Sequence, residues 1–162
     1  MSSYAILNKI YIPDITRGES DVAINNDQVP QEIERRLQES FYLGSITKGI
    51  FQELEEVFIE TSRTNWDGYD ALPVEKETFL ITAKFIKLLP LYVKPLNISA
   101  EPDGNITLEW YRSPDWLFSL SIDSRGFLHY AAKFGTRKKY GSEPFFDSIP
   151  QTILDLILVV GK

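Results

Sequence analysis

The chain has 162 residues, of which 43% are hydrophobic and 25% charged, and it carries no cysteine. That length suits one domain able to bury about two thirds of the surface its unfolded form exposes, and the missing thiols exclude disulfide frameworks, thiolate zinc or iron–sulfur ligation and cysteine nucleophiles. The net charge of −6 lies in the first third, since residues 1–60 hold five Lys/Arg against eleven Asp/Glu and residues 61–162 hold twelve of each; general affinity for nucleic acid or an anionic membrane is therefore not expected.

No stretch reads as a transmembrane span, and the first ten residues lack the charged start and long apolar centre of a signal peptide, so the default expectation is a cytoplasmic protein. Residues 1–30 differ from the rest. Residues 5–12 suit one short strand, but Pro13-Asp14, Gly18 and Asn25-Asn26-Asp27 break the pattern, which predicts an N-terminal arm or peripheral strand. From Pro30, Ile33, Leu37 and Phe41 recur at spacings of four, and Gly44 is expected to stop that helix. A second helix follows, with Ile46, Ile50, Leu54, Val57 and Phe58 on one apolar stripe and Glu53, Glu55, Glu56 and Glu60 mainly outside it. After a loop, residues 74–89 predict a third helix whose stripe is Phe79, Ala83 and Ile86, flanked by Leu80 and Leu89 and ended by Pro90.

Beyond Pro90 the period changes to two. Residues 96–100, 105–111, 116–122 and 127–133 predict strands joined by turn sequences such as Glu101-Pro102-Asp103-Gly104 and Asp123-Ser124-Arg125-Gly126. Ile106, Leu108 and Trp110 alternate with Thr107 and Glu109, and Leu120 and Ile122 with Ser119 and Ser121, as in an antiparallel sheet with one buried face. A last helix is expected near Ser148, where Ser148-Ile149-Pro150-Gln151 fits a capping box, with Ile153, Leu154, Ile157 and Leu158 inward. The fold class is thus α+β: an antiparallel meander of four or so strands packed against three to four helices. The chain is read as a single domain over 1–162, with an arm at 1–30, a mainly helical part at 31–95, the sheet at 96–146 and a helix at 147–162.

The loop Asn65-Trp66-Asp67-Gly68-Tyr69-Asp70-Ala71-Leu72-Pro73 concentrates aromatic, carboxylate, glycine and proline residues between two helices. Turn chemistry predicts that Trp66 and Tyr69 anchor it against the sheet, that Gly68 takes a positive φ and that Pro73 starts the next helix. This loop, followed by a helix ending at Leu88-Leu89-Pro90 and then by Pro102-Asp103-Gly104-Asn105-Ile106-Thr107-Leu108-Glu109-Trp110, resembles a widespread group of small bacterial proteins with W-D-G-Y-G-A-x-P and P-D-G-x-(I/V)-x-L-E-W motifs. The resemblance covers roughly residues 60–160. This chain carries Asp70 where glycine is common in the group. The resemblance implies a bacterial or phage origin and a shared α+β core, and it brings no catalytic residue with it; Trp66, Gly68, Pro73, Gly104 and Trp110 are read as the structural members of these motifs.

The oxygens of Asn65, Asp67 and Asp70 are chemically suited to a hard cation, but aligning Asp67-Gly68 on a calcium loop puts Arg63 and Val74 at its first and twelfth positions, so an EF-hand is excluded. Glu109 faces away from Leu108 and Trp110, and could pair with Arg112 or Lys133 or join Asp67 or Asp103 as an acid–base pair. His129 is the single histidine, and with no H-E-x-x-H, G-x-S-x-G or glycine-rich phosphate loop in the chain it reads as a strand residue. Arg137-Lys138-Lys139 is the one basic cluster, flanked by Phe134 and Tyr140; it reads as a solvated hairpin, suited to contact with phosphates or with the acidic helix of a second copy.

The expectation is a non-enzymatic protein-interaction module of a bacterial or phage cytosolic system, of the toxin–antitoxin, immunity or defence-cassette kind, without cofactor or metal. Its expected partner is another protein, encoded by a neighbouring gene, or a second copy in a homo-oligomer. The binding residues would come from Asp67, Tyr69, Asp70, Glu109, Arg137, Lys138 and Lys139. The alternative is a carboxylate-based hydrolase or a small-ligand or metal-binding protein using Asp67, Asp70 and Glu109.

Overall fold

The computed structural model describes residues 31–161, and the expected arm at 1–30, like the side chains of Ile33, Leu37 and Phe41, lies outside the described residues. One helix, α1 (Gln31–Thr61), stands where the glycine signal predicted two. Gly44 does not stop it. A glycine inside a helix costs about 1 kcal/mol relative to alanine, and the stripe from Ile46 through Ile50, Leu54 and Val57 continues in phase, with Leu54 fully buried against the core.

α2 (Lys76–Leu88) begins two residues later than predicted, with Glu75 as its N-cap, so Pro73 precedes it in extended chain rather than starting it. Its buried face is Thr78, Thr82, Phe85 and Ile86, while Phe79 and Ala83 are only half-buried. Phe85 takes the central place that sequence periodicity assigned to Ala83; its ring meets Phe145 edge-on at 5.5 Å. Leu89 turns extended (ψ 141°) before Pro90, as the proline ring requires of its predecessor.

Five antiparallel strands follow in the order β1 (Asn97–Ala100), β2 (Ile106–Ser113), β3 (Trp116–Ile122), β4 (Phe127–Phe134) and β5 (Arg137–Pro144). The register pairs Ile98 with Leu108, Leu108 with Leu120 and Leu120 with Tyr130, which puts the apolar set on one face. On that face Phe118, fully buried, lies between Trp110 and Tyr130. The fifth strand occupies the segment read as a solvated hairpin. No apolar alternation marks it, because β5 is the edge strand and its side chains are exposed or half-exposed on both faces.

The sheet's apolar face is covered by α2, which touches β2 and β3, and by α3 (Gln151–Val160), which touches β2, β3 and β4. The expected capping box at Ser148 does not form: Pro150 is the N-cap, its carbonyl accepts from Ile153 and Leu154, and Ser148 lies two positions before it, too far away to cap. Ile153, Leu156, Ile157 and Val160 are the buried residues of α3, with Leu154 and Leu158 partly covered. Among the described residues no helix is long and apolar enough to cross a membrane.

Candidate functional site

The loop between α1 and α2 is built by its own side chains. Asp67 Oδ1 accepts from the backbone N–H of Tyr69 (2.7 Å) and Ala71 (3.1 Å), and Asn65 Oδ1 accepts from Asp70 N–H (2.8 Å). These bonds hold Asn65 (φ 60°) and Asp70 (φ 66°) in the left-handed region beside Gly68 (φ 80°), a conformation that short polar side chains tolerate. Asp70 thus keeps the backbone that a glycine would supply. Half-buried Trp66 donates from Nε1 to Leu72 O (2.9 Å). Tyr69, expected to anchor the loop, is 89% exposed. The anchor is the other motif: Leu72 N–H donates to Pro102 O (2.8 Å), and Gly104 (φ 87°) passes so close to Pro73 that a Cβ there would lie 3.0 Å from its carbonyl oxygen.

Glu109 belongs to a different surface. It stands on the uncovered sheet face, opposite Asn97 and Ser119, and accepts from Asn97 Nδ2 at 3.3 Å. Neither expected partner reaches it, because Lys133 binds Asp115 (2.7 Å) and Pro114 O while Arg112 lies over the Trp116 ring at 5.2 Å. Asp67 and Glu109 are each engaged locally, and no group of three His/Cys/Asp/Glu among the described residues is arranged to hold a metal ion.

The uncovered face carries a polar row that sequence reading did not assemble: Thr107, Ser121, His129 and Ser142 stand side by side on β2 to β5. His129 Nδ1 shares a hydrogen bond with Ser142 Oγ at 2.7 Å, and its Nε2 lies 3.5 Å from Asp123 Oδ2. Thr107 donates to Glu101 at the row's other end. Asp123 is buried beneath the β3–β4 turn. Burial works to raise its pKa, but hydrogen bonds from Phe127 N–H, from the Arg125 side chain, from His129 and from Arg125 N–H together hold it below the ordinary aspartate value. The turn residues Asp123 to Gly126 were legible in the sequence; their meeting with His129 and Ser142 needed the strand register.

The sheet's two edges differ. β1 is closed by α1, since Glu53 Oε1 accepts from Ile98 N–H (3.1 Å). β5 has no described strand on its outer side. Its hairpin to β4 turns on Gly135-Thr136, with Gly135 at φ 64° as the first residue of a II′ turn requires. The flanking pair Phe134 and Arg137 is then hydrogen-bonded, so the odd residues of β5 bond to β4 and the main chain of Lys138, Tyr140 and Ser142 points outward. Lys138 and Tyr140 share the uncovered face with Lys133 and Ala131, while Arg137 and Lys139 stand on the other face, so cations line both sides of this edge. Gly141 leaves room for the Tyr130 ring, whose hydroxyl would lie 2.7 Å from a Cβ at that position.

No family model, no curated protein and no solved structure matches the chain.

Proposed function

We propose that this protein is a non-enzymatic interaction module of a bacterial or phage cytosolic system, in which β5 receives an extended acidic segment of a partner protein as a sixth strand. The observation that supports this most is the β5 edge, which carries no neighbouring strand among the described residues. Outward N–H and C=O groups at Lys138, Tyr140 and Ser142 supply the ladder, and Arg137, Lys138 and Lys139 supply charge on both faces. The same positive charge discourages two β5 edges from pairing with each other. A product of a neighbouring gene, as in a toxin–antitoxin, immunity or defence cassette, is the first partner to test. Asp67, Asp70 and Tyr69, on the loop, take no part in this reading. The hydrolase or metal-site alternative needs Asp67 and Glu109 to converge, and the hydrogen bonds above tie them to separate elements.

The test uses a fluorescein-labelled peptide alternating Val with Glu, measured by anisotropy. Binding is expected to weaken with salt and to be lost in Tyr140→Pro, which removes the exposed ring and an outward N–H while leaving the N–H groups that bond to β4 in place. A neutral Val/Ser peptide of the same length should bind far more weakly. Equal binding of the two peptides, or undiminished binding by a folded Tyr140→Pro, would refute the edge as the site. The competing occupant is a second copy, through the exposed Glu55, Glu56 and Glu60 of α1; a salt-sensitive dimer in sedimentation, abolished by Lys139→Glu, would assign the cations to self-association instead.

A further inference from the structure

Asp123, His129 and Ser142 meet where the β3–β4 turn adjoins β4 and β5, and they follow one another as a buried carboxylate, a half-exposed imidazole and an exposed hydroxyl. Which atom donates to which follows from Asp123. Its carboxylate is held below the ordinary aspartate value, and the Arg125 side chain forks onto Oδ2 at 2.8 and 3.1 Å, so at neutral pH it is ionised and only accepts. Nε2 of His129, 3.5 Å from that oxygen, therefore carries the proton of the neutral ring, and Nδ1 keeps its lone pair. In the 2.7 Å contact with Nδ1 the Ser142 hydroxyl is then the donor. A serine is thus paired with a base that a third group orients; a base–carboxylate contact of this length is of the kind that shortens when a reactant binds.

The surroundings of the hydroxyl favour a carbonyl carbon as its target. Ser142 N–H points away from β4 and no described strand accepts it, so it is open to the oxygen of a carbonyl whose carbon sits at Ser142 Oγ. Beside the hydroxyl lies an open hollow of about 400 Å³, in which the small side chains of Ser119, Ser121 and Ala131 leave room and the exposed ring of Tyr140 offers an apolar surface. Glu101, Asp103 and Asp123 line the adjoining hollow, where they repel a donor that would deliver a charged phosphoryl group. An acyl carbon brings no such charge.

We infer that Ser142 is an acyl-acceptor site, modified by an activated acyl donor of the thioester class. Ser142 Oγ attacks the carbonyl carbon, His129 Nδ1 takes the hydroxyl proton and passes it to the departing thiolate, and Asp123 holds the imidazole in the tautomer that can do so. One C–O bond forms and one C–S bond breaks, with no change of oxidation state. A single N–H faces the oxyanion, and a missing second donor costs about 10²–10³ in rate. The reactivity of a thioester offsets that loss in the transfer step, whereas nothing offsets it when water attacks the oxygen ester that results. The chain therefore takes up one acyl group and keeps it, as a modified protein and not as a hydrolase. The site needs no incoming strand, so it stands independently of the edge-strand reading.

The probe is para-nitrophenyl acetate, whose phenolate leaves in place of the thiolate; it is added to the full-length chain with no peptide present, and acetylation is located by peptide mass spectrometry. Ser142 should be acetylated about a hundredfold faster than the exposed Ser148, which has no base beside it. Nitrophenolate release should exceed that of Ser142→Ala by a burst of one equivalent. In His129→Ala the Ser142 rate should fall to that of Ser148 and recover when free imidazole is added, a recovery that a purely structural histidine would not give. Because the chain has a single histidine, ¹⁵N NMR reads the tautomer directly: the unprotonated ring should carry its hydrogen on Nε2, and this preference should weaken in Asp123→Asn. Equal rates at Ser142 and Ser148 in the unmutated chain would overturn the inference. So would a hydrogen on Nδ1, which would make Ser142 the acceptor of a merely structural bond, or sustained turnover with no stable adduct on Ser142.

Discussion

Replacing Gly104 by alanine tests whether the two sequence motifs hold each other in place. At φ 87° the alanine suffers the left-handed penalty of about 1–2 kcal/mol, offset by about 0.4–1 kcal/mol because alanine stiffens the unfolded chain. Those two terms also apply to Gly68→Ala, at φ 80° with no atom within 4 Å of the added Cβ. The net loss there should be about 1 kcal/mol. Gly104 adds a contact of 3.0 Å with Pro73 O, and Pro73 is fixed on both sides, by Leu72 N–H to Pro102 O and by Val74 N–H to Thr61 O. Relieving the clash must loosen the bond between Leu72 and Pro102, a further loss of about 0.5–1.5 kcal/mol. Gly104→Ala should therefore lose about 2 kcal/mol, roughly twice the Gly68→Ala loss. Urea unfolding measures both, and for a domain of this size the Gly104→Ala midpoint should fall by about 1 M. Equal losses for the two variants would refute the idea that the loop is anchored on the Pro102–Gly104 turn.

Three further outcomes follow from the same structure. Asp123 has a depressed folded pKa, so its contribution to stability is complete above the unfolded aspartate value of about 4 and disappears as pH falls through the folded value; thermal melts should show an acid-side loss that is smaller in Asp123→Asn, and an unchanged acid slope would count against this role. Trp66→Phe keeps the aromatic body and removes the bond to Leu72 O, and it should lower stability by about 0.5–1.5 kcal/mol in denaturant titrations; no loss would mean that the bond does not hold the loop. Phe118→Ala empties the middle of the sheet's covered face and should cost about 3–5 kcal/mol, and a loss below about 2 would place the centre of the core elsewhere.

The sheet was readable where one face is buried and the other wet. Ile106, Leu108 and Trp110 alternate with Thr107 and Glu109, and the register puts the two sets on opposite faces; Thr107, read as a wet position, is nevertheless buried and bonded to Glu101. β5 was not readable as a strand, because an edge strand beyond the helix layer has no buried face to pattern: the hairpin was expected, but its turn is Gly135-Thr136 alone, and Arg137, Lys138, Lys139 and Tyr140 form its second strand. Gly44 misled for a related reason. A glycine signals a helix end by permitting left-handed backbone, but permission is not obligation, and the stripe through Ile50 and Leu54 continued the helix. On α2, Phe85 rather than Ala83 faces the centre, since the helix's rotation is set by which residue fills the space beside Phe145.

Turn chemistry and alternation, both local, were enough to give the α+β class, the positive φ of Gly68 and the β2, β3 and β4 strands. The tertiary structure alone decided what meets what: Pro73 with Gly104, His129 with Ser142 and Asp123, Trp110 with Phe118, and which sheet edge carries no further described strand. The physical reason is range. Backbone preference and amphipathic period act over a few residues and leave a trace in the sequence, whereas these meetings join residues separated by many positions, fixed by the packing of whole elements.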